Sequence, residues 1–70
     1  FSQATLFWNS QSEPEKKHIV DAFKFELGKV ETVEIRQRML NLLTQVDMDL
    51  ANKVGMGLGL TPQEPEQPIN

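Results

Sequence analysis

The 70 residues contain a single histidine, His18, and no cysteine or tyrosine. That composition removes thiol nucleophiles, thiolate metal sites, phenolate ligands and any pair of imidazoles. His18 follows Lys16 and Lys17; as a general base or ligand it would need a positioned partner, and its setting supplies none. The carboxylates Glu13, Glu15, Asp47 and Asp49 resemble acid–base pairs, yet each falls where a helix start attracts negative charge. Lys16, Lys17, Arg36 and Arg38 suggest an anion site until Glu13, Glu15, Glu31 and Glu34, close in sequence, are set against them. A formal net charge of −3 also argues against a nucleic-acid partner, which calls for clustered Lys and Arg. No catalytic, cofactor or metal position is assigned, and the chain reads as a partner surface.

The elements that would carry such a surface follow from caps and periodicity. A short first helix is expected over Gln3 to Asn9 with Ser2 as its N-cap. Ser12 and Glu15 form a capping box for a long second helix, with Pro14 in its first turn. Ile19, Val20, Phe23, Leu27 and Val30 make its inner stripe. Thr32 is the expected cap of a third helix, whose inner stripe is Ile35, Met39, Leu42, Leu43 and Val46. Asp47 caps a fourth, with Leu50, Ala51, Val54 and Leu58 inward; Gly55 and Gly57 either weaken it or admit a close neighbour, and Gly59 stops it. The expectation is an all-α, four-helix domain over residues 1–60, with a short helix, a long helical hairpin and a short closing helix. Residues 61–70 hold three of the four prolines and read as an extended linker.

Large apolar side chains outnumber the faces available to bury them. Phe1, Phe7 and Trp8 crowd the first helix. Phe25 lies opposite the inner stripe of the second, and Leu40 and Val33 lie off that of the third. Phe1, Phe7, Trp8, Phe25 and Leu40 are therefore the docking candidates. The chain opens on Phe1 with no initiator Met, and is expected to be a piece of something longer. No apolar run reaches the roughly 20 residues that cross a bilayer.

The register of these residues resembles the C-terminal helical domain of haem catalases. Phe1-Ser2-Gln3, the helix opening from Ser12 to Lys16, and the stretch His18 to Leu27 carry the likeness. Ile35-Arg36-Gln37-Arg38, Val46-Asp47 and Gly57-Leu58-Gly59-Leu60 continue it without a gap. The stretch from His18 to Leu27 is most similar to the large-subunit catalases, in which a linker leads to a flavodoxin-like domain. The resemblance implies a cytoplasmic, haem-bearing homotetrameric parent that disproportionates hydrogen peroxide to water and oxygen. The family's catalytic His and Asn and its proximal Tyr lie upstream of this domain, so none is carried over to a position here. Haem belongs to the parent on this reading, and an NADPH contact near Leu6 and Phe7, as in small-subunit members, is not assigned. The implied partners are the remainder of a catalase chain and neighbouring subunits. The alternative is a stand-alone four-helix module that captures a partner helix in an apolar groove.

Overall fold

Capping chemistry sets the helix starts. In the computed structural model, which describes residues 1–63, the Ser12 N–H donates to Glu15 Oε1 at 2.8 Å and the Glu15 N–H donates to Ser12 Oγ at 3.4 Å. This box opens α2, Glu13–Gly28. The Ser12 N–H and then the Ser12 side chain hold the Glu15 carboxyl below its ordinary range. Asp47 opens α4, Met48–Leu58, by accepting from the Asp49 N–H at 2.8 Å and the Leu50 N–H at 3.2 Å. Thr32 precedes α3, Val33–Leu43, without a side-chain cap bond. The first helix, α1, runs Ser2–Asn9, so Ser2 is helical and Phe1 takes the N-cap position expected for Ser2; the Phe1 carbonyl already accepts from the Thr5 N–H at 2.9 Å.

The helices form one all-α unit in which α4 is the common partner. Its widest contact is with α2, its next with α3, and α2 and α3 meet over a shorter stretch. Small residues make this possible: Ala51, Val54 and Gly55 are buried on α4, and Leu50 joins them. At Gly57 the stem of Lys24 occupies the space a Cβ would fill. At Gly55 an added Cβ would stand 2.6 Å from the Leu60 carbonyl and 3.3 Å from Leu40 Cδ2. Both glycines serve close approach, the second of the two roles expected for them. Gly59 ends α4 at φ 72°, and the Gly55 carbonyl accepts from the Gly59 N–H and from the Leu60 N–H, the latter at 2.9 Å. Only a residue at ease in the left-handed region permits that turn.

Trp8, Val20, Leu27, Leu40, Leu43, Leu50, Ala51 and Val54 form the core, with Ile19, Phe23, Val46, Leu58 and Leu60 packed around it. The inner stripe expected for α3 is corrected here. Leu43 is buried and Val46 half-buried, whereas Ile35, Met39 and Leu42 are exposed. Leu40, Leu43 and the half-buried Arg36 face inward instead. Each exposed residue sits one position, about 100°, round the helix from one of these. Leu40 is fully buried and packs against α4, its Cδ2 3.3 Å from where a Cβ on Gly55 would stand. Arg36 closes the α2–α3 turn by donating through Nε and Nη2 to the Val30 carbonyl. The resulting body is flat, 38 × 31 × 15 Å, so many side chains lie on one of two broad faces.

Thr61, Pro62 and Gln63 follow α4 without helical structure. The rest of the expected linker, residues 64–70, lies outside the described residues.

Candidate docking surface

The five docking candidates divide. Phe1, Phe7 and Phe25 are 67%, 61% and 65% exposed, whereas Trp8 and Leu40 are 2% and 0% exposed and belong to the core. Trp8 is corrected because α1 is laid down by it. Its side chain shares an apolar cleft with Ile19, Phe23, Leu43, Val46 and Leu50, and Lys16 Nζ stands 5.3 Å from the centre of its ring. One turn earlier, Thr5 Oγ1 lies 2.6 Å from the Val46 carbonyl, fixing α1 to the α3–α4 connection. Leu40 is corrected because it joins Leu50, Ala51 and Val54 of α4 in the core. Both reversals come from partners distant in sequence, which a helical wheel of a single segment omits.

With Thr5 and Trp8 turned inward, Leu6 is turned out, 69% exposed, and Phe7 stands at the edge of the cleft beneath α1. Phe25 stands on the outer side of α2 with Lys29 Nζ 4.3 Å above its ring. Three further residues that the sequence placed inside form the most regular feature of the exposed surface. Ile35, Met39 and Leu42, at spacings of four and three on α3, are 46%, 41% and 51% exposed. Residues at these spacings share one helix face. The five-residue stripe expected from periodicity is thus split, with Ile35, Met39 and Leu42 outside and Leu43 and Val46 turned inward. Met56 on α4, 82% exposed, was not singled out.

Two of the clefts formed among the described residues bear on this surface. The smaller, about 240 Å³, lies under α1 and is lined by Ala4, Phe7 and the apolar residues around Trp8. The larger, about 830 Å³, runs between α2 and α4 over Val20, Met56 and Gly57 and is edged by Lys17, Lys24 and Lys53. Those lysines have partners: Asp21 is 3.0 Å from Lys17 and 3.2 Å from Lys24, and Asp49 is 3.1 Å from Lys53. Lys17, then Lys24, hold the Asp21 carboxyl below its ordinary range, and Asp49 raises the Lys53 ammonium above its own. His18 is exposed on α2 and lines neither cleft. Glu13 and Glu15 stand at the start of α2 and Asp47 and Asp49 at that of α4, each pair placed as helix-start charge.

Among the described residues no three His, Cys, Asp or Glu side chains are grouped to hold a metal ion, and no helix is long and apolar enough to cross a membrane. There is no tyrosine to offer a phenolate, and the one imidazole projects from an exposed position outside both clefts.

Comparison with known proteins gives one consistent answer. Residues 1–58 match the family described as catalase-related immune-responsive. A catalase of Alkalihalophilus pseudofirmus is 51% identical over 59 residues, covering 84% of this chain and 9% of that protein. Catalase HPII of Pseudomonas aeruginosa is 48% identical over 69 residues, 97% of this chain and 10% of its own length. Catalase HPII of Mycobacterium avium is 47% identical over all 70 residues, again 10% of its length. The chain thus spans about a tenth of the relatives it matches. No solved structure matches it.

Proposed function

The chain belongs to the catalase-related immune-responsive family, and from that premise we propose that it is a non-catalytic helical module of a haem catalase, serving packing and assembly. The parent reaction on this reading is disproportionation of hydrogen peroxide to water and oxygen, carried by haem and catalytic residues outside these 70 residues. The parent is a cytoplasmic homotetramer, and its remaining chain and neighbouring subunits are the module's partners.

One observation carries the reading: the regular apolar stripe of α3, Ile35, Met39 and Leu42, is turned out of the domain's own core. A sequence that spends an aligned apolar face on solvent gains nothing from it in isolation. Covered by a neighbouring surface, the same side chains supply the apolar centre of an interface. Phe1, Phe7 and Phe25 extend the apolar area on α1 and α2. The ion-paired lysines along the α2–α4 cleft make that cleft a less suitable seat for an apolar helix, which disfavours the stand-alone module.

The non-catalytic half is tested by presenting the purified 70-residue chain with haem and then with hydrogen peroxide. The expected result is no Soret band from bound haem and no oxygen release above that of free haem. Tight haem uptake with turnover would contradict the proposal.

A further inference from the structure

The structure assigns Thr61–Gln63 to the folded unit as a clasp that closes the α3–α4 seam, moving the end of the domain past the glycine stop of α4. This goes beyond the packing role and does not depend on it. The observations are a closed hydrogen-bond set and a shape fit.

Gln37 and Asn41 stand four residues apart on α3, on a half-buried face. Gln37 Nε2 donates to Asn41 Oδ1 at 2.9 Å and to the Thr61 carbonyl at 2.8 Å. Asn41 Oδ1 also accepts from the Gln63 N–H at 2.9 Å. An amide nitrogen has two protons and an amide oxygen two lone pairs, so both groups are fully used. Each side chain holds the other in the orientation that the tail requires, and a linked set of this kind is stronger than its separate bonds. Between the two anchored peptides, Pro62 is half-buried. Its Cδ lies 3.0 Å from where a Cβ on Gly55 would stand, and Leu40 Cδ2 lies 3.3 Å from the same point. Gly55 thereby receives Pro62 from the tail and Leu40 from α3 in one place. A proline is suited to the middle position, because it brings a rigid apolar ring and no N–H needing a partner. The clasp also fixes the direction in which the chain leaves α4, along the side of α3.

Amide hydrogen exchange of the 70-residue chain, resolved by NMR, tests this. The Gln63 amide should exchange at least about tenfold more slowly than an unstructured amide. Asn41→Asp keeps the accepting oxygen and should retain that protection. Asn41→Leu removes the acceptor and should return Gln63 to the unstructured rate while Val54 and Leu50 on α4 stay protected. A wild-type Gln63 that exchanges as freely as an unstructured amide overturns the clasp, and so does protection that persists in a folded Asn41→Leu chain. Should Asn41→Leu unfold throughout, the wild-type rate and its retention in Asn41→Asp decide the matter.

Discussion

Trp8→Ala should destabilise the domain by about 3–5 kcal/mol, the range for deleting a buried aromatic side chain. A unit of this size is expected to have a total stability on the order of 3–9 kcal/mol, so the loss approaches the whole. The reason lies in how α1 is attached. Trp8, 2% exposed, and the bond from Thr5 Oγ1 to the Val46 carbonyl are what hold it, while Leu6 faces away and Phe7 only edges the cleft. Without the indole, Phe23 and Leu50 lose the group that covers them. Urea unfolding followed by circular dichroism measures the change. Phe25→Ser supplies the contrast: an exposed ring with only the Lys29 ammonium above it should cost less than about 1 kcal/mol. Equal stability of Trp8→Ala and the parent chain would contradict the placement of α1.

The second large effect is expected at Gly55, with Gly57 as its control. Gly55→Ala should cost about 2–3 kcal/mol, toward the upper end for overpacking. Its methyl group would meet the Leu60 carbonyl at 2.6 Å, and that backbone is fixed by the glycine turn that follows. Pro62 and Leu40 close the remaining directions of retreat. Gly57→Ala meets only the Lys24 side chain, which can rotate away and give up an exposed ion pair with Asp21. Relief of glycine's helix penalty, about 0.5–1 kcal/mol, offsets that loss, so stability should change little or rise. Thermal unfolding of the two variants side by side checks the contrast; similar midpoints would contradict the close packing of α4 on the tail.

Much of this architecture was legible from local chemistry. The Ser12–Glu15 box, the Asp47 cap and the Gly59 stop each depend on neighbours within a few residues, and each stands where the sequence put it. The rotation of α3 was not legible. Periodicity alone turns Ile35, Met39, Leu42, Leu43 and Val46 inward together, whereas only Leu43 and Val46 of these are covered. Leu40 packs instead against α4 beside Gly55, fifteen residues further along the chain, a contact that no property of α3 announces. Trp8, a docking candidate from sequence, belongs to the core for a related reason, since its cleft is built from α2, α3 and α4 together. Phe1, Phe7 and Phe25 needed no such information to be exposed: their own helices carry better-placed residues for the core. The hydrogen-bond residues Thr5, Arg36, Gln37 and Asn41 were likewise invisible, because a polar side chain gives no periodic signal and its acceptor can lie anywhere.

The outward stripe on α3 is tested most directly by hydroxyl-radical footprinting of Met39, read by mass spectrometry, in the 70-residue chain and in the catalase proposed to carry it. Oxidation of a thioether follows its solvent access. Met39 is 41% exposed here and is predicted to oxidise at least about tenfold more slowly in the assembled parent. Equal rates in the two settings would mean that nothing covers this face, contradicting the packing role proposed for it.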